Sequence, residues 1–463
     1  MRKKILALSV LAFGAFSTSY AGGLMTNTNY HIAFDRMMAR GATFDIDAAY
    51  SNPAGLAWGH DGFQLSLNFQ KPWQNRDIEA SIPGYLGSNF DQKYNGKASA
   101  PIVPALFAAY KKDNIALSAM IGIVGSGGFV KYEEGIPMFE VPLKAMLAQN
   151  GLMPDKYDFD SEMKGNQYIY GGQLNFTYKV TDFLSAAVGM RANYYDGYYR
   201  GHVVAAPNAT VAQMMPTSNA PLVNLQLDCP QTGWGYTPIV SLDFHKGPLT
   251  VAARYEFRTK IETENDTKEL IVGTMGQDTD VKALAGKLGN SATVAALSQT
   301  ELGSMAQKVK SYLPEETTRY DMPSLLSVAL GYEITPKLRA TGEFHFFDDK
   351  NAKMADNRQD ELTHGTYEVL LGVEYDINDK FTVSLGGQRT DYGLSDNYQQ
   401  DTSFACDSYS IGLGGAWNIN EKIRLNAGYF ISIYSDYTKT SAIGQETFSR
   451  TNNVIGLGID YKF

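Results

Sequence analysis

The chain has 463 residues and a formal net charge of −9, from 40 basic and 49 acidic side chains. That balance argues against nucleic acid as a partner, because phosphate binding needs a basic face. Two cysteines in this length exclude a disulfide-stapled scaffold. A mean hydropathy of −0.25 beside 29 Tyr, 23 Phe and 44 Gly suits a barrel that is apolar outside and wet inside.

Residues 1–21 read as a signal peptide. Arg2, Lys3 and Lys4 form its basic region, Ile5 to Phe16 its apolar region, and Ser19-Tyr20-Ala21 a cleavage site. The apolar run is shorter than the roughly 18 residues a membrane-spanning helix needs, and nothing downstream reaches that length. Residues 22–60 contain no alternating strand. Phe34 to Ala39 could form a turn or two of helix, ended by Gly41, and Asn52-Pro53-Ala54-Gly55 is a turn signal. Inside a barrel this segment would be ordered as a plug by its apolar residues and by Asp35, Arg36, Arg40, Asp45 and Asp47.

From Phe63 the pattern changes to strict alternation, which places alternate residues on opposite faces of a strand. Phe63–Phe69 is the first such run. It is followed by Val103–Ala109, Ile115–Ile123, Tyr168–Tyr178, Leu184–Tyr194, Trp234–Phe244 and Leu249–Phe257. Leu326–Tyr332, Leu338–Phe346, Tyr367–Tyr375, Phe381–Leu385, Tyr409–Trp417, Ile423–Ile433 and the closing run Ile455–Phe463 make fourteen. Short connections such as Lys111-Lys112-Asp113 and Thr181-Asp182 alternate with long ones, putting all tight turns on one rim. The expectation is an all-β protein: a fourteen-stranded antiparallel transmembrane β-barrel over residues 61–463, in the outer membrane of a Gram-negative cell. Helical spacing over Val281–Leu313 and Val141–Leu152 predicts short helices in the extracellular loops, whereas Val203–Leu227 is apolar without a clear period.

No catalytic motif is present, the six histidines are scattered, and no metal ligand spacing or cofactor signature occurs, so the chain does not read as an enzyme. The faces opposite the lipid-facing sets carry Arg191, Arg254, Glu256, Arg258, Arg339 and Glu343. These charges would either brace a plug as an ion-paired network or ligate a carboxylate substrate. Cys229 and Cys406 both precede strands on the extracellular rim and are candidates for one disulfide in that oxidising location.

The plug of about 40 residues, the Asn52-Pro53-Ala54 motif at its end, the strand order and the terminal Phe463 together resemble the FadL-type family. Its members are outer-membrane transporters of long-chain fatty acids and other hydrophobic compounds. The resemblance implies a monomeric barrel stopped by an N-terminal hatch, residues 22–60, whose Asn52, Pro53 and Ala54 contribute to gating. It also implies capture of a hydrophobic small molecule by the extracellular loops. Release would be sideways into outer-membrane lipid beside a kinked third strand, here rich in Gly122, Gly125, Gly127 and Gly128. Phe463 would be read by the outer-membrane assembly machinery. Haemin uptake, and a surface receptor or adhesin anchored by the barrel, are the alternatives.

Overall fold

The computed structural model describes residues 24–463 apart from 86–87, 101, 134, 138–139, 142–143, 145–153, 215–219, 275, 300–308 and 442–443. The expected signal peptide therefore lies outside the described residues, as does most of the helix expected over Val141–Leu152. Fourteen strands form the wall. They are β1 (Gly62–Tyr85), β2 (Val103–Lys112), β3 (Ile115–Tyr132), β4 (Tyr157–Lys179), β5 (Leu184–Pro207), β6 (Val223–Lys246) and β7 (Leu249–Glu256). The series continues with β8 (Leu325–Thr335), β9 (Leu338–Phe347), β10 (Thr366–Asp376), β11 (Phe381–Asp391), β12 (Ser408–Asn418), β13 (Ile423–Tyr434) and β14 (Gln445–Lys462). Sequential neighbours pair antiparallel, and β1 pairs with β14 from Gln64↔Lys462 to Ser81↔Gln445, which closes the barrel. Closure leaves no sheet edge in lipid, where an unpaired peptide group has no water to turn to. Outward residues such as Leu174 (69% exposed) and Leu457 (65%) form the apolar belt.

Several strands overrun their sequence limits on the long-loop side. β1 continues to Tyr85 and returns as a strand over Ser88–Ser99. β5 runs to Pro207 and β6 begins at Val223, so both ends of Val203–Leu227 are strand, with a short helix over Ala209–Met214 between them. The alternation there has the opposite polarity. Above the lipid the outside is wet and the inside is a core, so Ile78, Tyr94, Val130, Met163, Tyr199 and Leu225 point inward and pack together. A search for apolar residues on the lipid-facing phase passes over such segments. Val281–Leu288 and Asn290–Ser298 are helices in the loop between β7 and β8, as the spacing predicts.

Residues 24–58 lie inside the barrel. Helix α1 (Ile32–Met37) begins where the His31 ring accepts the Ala33 N–H. It stops at Met38, which has a φ of 65°, rather than running to Ala39 and Gly41. The wall causes the difference, because Glu343 accepts the N–H groups of Arg40 and Gly41 at 2.9 and 2.8 Å and fixes the chain past that point. Helix α2 (Ala48–Ser51) and a 3-10 turn over Pro53–Trp58 follow.

Helix α1 lies on a floor of glycine. Gly372, Gly386 and Gly412 face one another across β10, β11 and β12, and Gly414, Gly428 and Gly456 continue the row to β14. A Cβ on Gly372 or Gly386 would collide with the Met37 carbonyl, and one on Gly428 would sit 2.9 Å from the Asp35 Cβ. Gly386→Val is therefore expected to lift the helix off the wall while the barrel still folds. Conductance to small ions in planar bilayers should rise severalfold, and heat-modifiable migration on gels should be unchanged.

Candidate functional site

The lumen wall carries short polar side chains that meet the backbone and caps of residues 24–58. The hatch needs them, because a buried chain outside the sheet has peptide groups that no strand neighbour satisfies. Asn68 Oδ1 accepts the Ile32 N–H at 3.1 Å. Gln173 and Asn175 of β4 both donate to the Ala49 carbonyl, at 3.1 and 2.9 Å. His31 Nε2 lies 3.0 Å from Ser66 Oγ and 3.1 Å from Asp460 Oδ1.

Asn52, Pro53 and Ala54 are clamped by three neighbouring strands. Asn52 donates to Asp243 Oδ2 at 2.7 Å, and Trp58 Nε1 takes the other oxygen of that carboxylate at 2.8 Å. Thr177 donates to the Pro53 carbonyl and Ser185 to the Ala54 carbonyl, each at 2.8 Å, while Ser241 accepts the Ala54 N–H at 3.0 Å. Proline removes one N–H that would otherwise need a partner here. Asp243 lies between Leu242 and Phe244 of the lipid-facing set, so the alternation alone turns it to the lumen, whereas a lone serine such as Ser185 or Ser241 carries no such signal.

The charges predicted for the lumen divide into two groups. Arg191 pairs with Glu256 across β5 and β7, Arg254 lies 3.4 Å from Glu256, and the guanidinium of Arg254 stands 4.5 Å over the Tyr50 ring. Elsewhere Arg339 binds Glu374 and Asp376, Glu374 also takes Arg36 of α1, and Glu343 accepts from His345 as well as from the hatch backbone. Arg258 is a correction. Wall strand β7 ends at Glu256, so Phe257 and Arg258 are both exposed, and Arg258 donates to the Asn351 carbonyl in the loops. Cys229 and Cys406 are a second correction. Both thiols are free and buried: Cys229 sits inside β6 beside Thr267, and Cys406 points at the Phe448 carbonyl.

The third strand is bulged where its glycines cluster. Pairing of β3 with β4 shifts register between Ile123 and Gly125 and again between Ser126 and Phe129, so Gly127 and Gly128 fall in the second shift. On its other side β3 pairs with β2 only up to Ile121 and with the Ser88–Ser99 strand only from Phe129. Among the described residues, 122–128 have no strand partner there, which leaves a gap in the wall. Pro104 sits on the β2 border of that gap, where a missing N–H does least harm.

Above the hatch is a cavity of about 300 Å³. Met25, Tyr312, Tyr320, Met354 and Tyr398 give it apolar surface, and Arg319, Lys353 and Arg358 give it positive charge. Arg319 is held bidentate by Asp321 at 2.6 and 2.7 Å. Arg358 is buried, lies 4.0 Å over the Tyr398 ring and donates to the Tyr398 carbonyl at 2.7 Å. Lys353 is exposed, with no carboxylate partner among the described residues. Sequence reasoning missed all three cations, because they come together from two loops with no local motif.

These features define an outer-membrane β-barrel with an occupied lumen. The family described as outer membrane protein beta-barrel domain matches residues 281–463. A FadL homologue from Pseudomonas aeruginosa is similar in structure, with a TM-score of 0.65 at 14% identity, over 96% of this chain and 100% of that one. The toluene transporter TodX of P. putida gives 0.57 at 13% identity, over 98% and 99%. The toluene transporter TbuX of Ralstonia pickettii gives 0.51 at 12%, over 99% and 98%. No curated protein matches by sequence. At these identities the likeness establishes a shared fold.

Asp243→Ala would strand the Asn52 amide and the Trp58 indole N–H, at a cost of about 2–4 kcal/mol. The hatch should loosen and permeability to small hydrophilic antibiotics should rise, which a sensitivity assay reads; Asp243→Asn should fall between. At the rim, burial pushes the Asp349 carboxyl up to about 7, while its oxygen accepts the Thr366 N–H at 3.1 Å. With the folded pKa raised, the stabilising state is the protonated one, fully present below the unfolded pKa near 3.8 and lost as pH rises through 7. Melting in detergent should therefore drop between pH 5 and pH 8, and Asp349→Asn should flatten that dependence.

Proposed function

We propose that this protein is a FadL-type channel for passive uptake of hydrophobic molecules, with long-chain fatty acids as the substrate class. One observation carries the reading: Met25 lines the cavity and its carbonyl also lies against Gly125 at the gap in the wall. A hydrophobe resting in the cavity would touch the start of the hatch and stand beside an exit to lipid. Lateral release spares it the polar lumen below, where an apolar solute loses free energy. The aromatic and methionine lining suits an acyl chain, and Lys353 with Arg319 suits its carboxylate. In this reading residues 22–60 are the gate, Asn52, Pro53 and Ala54 its anchor, and the Gly122–Gly128 stretch the lateral opening. The barrel works as a monomer, delivered to the membrane through recognition of Phe463 by the assembly machinery.

Cells carrying the protein should take up labelled long-chain fatty acid. Arg319→Gln with Lys353→Gln should raise the half-saturating concentration about tenfold, the loss of about 1.4 kcal/mol, while toluene uptake stays unchanged. Bulky residues at 125, 127 and 128 should abolish uptake by an inserted barrel. Toluene uptake without fatty-acid uptake would shift the substrate to neutral hydrocarbons. Failure with fatty acid, toluene and haemin alike would sink the transport reading in favour of a surface receptor.

A further inference from the structure

The gap beside β3 is not bare. The first residues of the hatch run against it and supply hydrogen-bond donors that, among the described residues, no strand supplies there. Asn27 gives its backbone N–H to the Val124 carbonyl at 3.2 Å and its side-chain amide to the Ile123 carbonyl at 3.3 Å. The Tyr30 hydroxyl lies 3.0 Å from the same Val124 carbonyl. Val124 is the extra residue of the first register shift, so its carbonyl is one the regular ladder does not use.

The Tyr30 hydroxyl has one proton and two carbonyls within reach, Val124 of the wall and Asn27 of the hatch itself. A phenol can donate fully to only one of them. The Asn27 carbonyl has two lone pairs and also accepts from the Tyr50 hydroxyl at 3.1 Å, so Tyr30 and Tyr50 meet on one oxygen of the hatch. The two rings meet edge to face at 4.3 Å. Tyr50 in turn is held by Arg254, which stacks on its ring and donates to its carbonyl, and Arg254 and Arg191 share Glu256. The lumen charges are thereby tied mechanically to the gap.

We infer that Tyr30 is the latch of the lateral opening, a positioning residue that pins the start of the hatch to the bulge of β3, with Tyr50 bracing it through ring contact and the shared Asn27 carbonyl. The consequence for transport rests on the channel reading above; the latch itself does not. Hydrogen–deuterium exchange of the full-length protein in detergent tests it directly. Tyr30→Phe keeps the ring and removes the hydroxyl, so exchange over residues 25–31 should quicken at least tenfold while β8 to β12 keep their protection. Tyr50→Phe should quicken the same segment less. In cells, Tyr30→Phe should raise the maximal rate of fatty-acid uptake severalfold with the half-saturating concentration unchanged, since no cavity residue is touched. Exchange over 25–31 like that of the unsubstituted protein would overturn the latch, as would quickening spread evenly over the whole barrel. Absent uptake by the unsubstituted protein would instead overturn the channel reading, with the exchange result still deciding the latch.

Discussion

In lipid every peptide group of the wall must find a partner within the wall, and a closed antiparallel ladder is how this chain does so. The same constraint reaches the lumen. Residues 24–58 are not part of the ladder, yet they are buried, so their N–H and C=O groups must be met by side chains projecting from the strands. Asn68, Gln70, Gln173, Asn175, Thr177, Ser185, Ser241 and Glu343 do this. The wall is thus built twice over, its outward residues chosen for lipid and its inward residues for the hatch.

Where the ladder falters, the hatch substitutes. Among the described residues, β3 lacks its usual neighbour between Ile121 and Phe129, and Asn27 and Tyr30 take up carbonyls there. A contact made by one asparagine and one phenol is far weaker than a run of ladder bonds, so this is the part of the wall with least to lose on opening. On the opposite side the row from Gly372 to Gly456 lets α1 approach the strands at backbone distance, and Arg36 reaches Glu374 from there. The hatch is firmly seated on that side and lightly held at the gap.

The charges of the lumen make sense in the same terms. Arg191, Arg254 and Glu256 sit under Tyr50, and Arg339 and Glu374 sit under α1, which contributes Arg36; each of these six charges has an opposite partner, as desolvation demands. The cations of the upper cavity differ. Lys353 is exposed, and Arg358 is held by carbonyls and a ring rather than by a carboxylate, whereas Arg319 is paired with Asp321.

The sequence by itself determined the strand count, the alternation of tight turns and long loops, and the place of the plug, because period-two patterning against lipid is a local property. It located Asn52, Pro53 and Ala54 and the glycines of β3 as unusual, but not what they touch. The strand extensions above the membrane were hidden, since the apolar phase inverts where water lies outside. So was the glycine row: its members lie on five strands, and only the register aligns them. Arg258 left the lumen because β7 ends at Glu256, and Cys229 and Cys406 are both free thiols within the apolar core above the membrane. Tertiary structure alone decided these points. Each depends on which residues of distant strands stand opposite one another, and that is fixed by closure of the barrel around its hatch rather than by any stretch of chain.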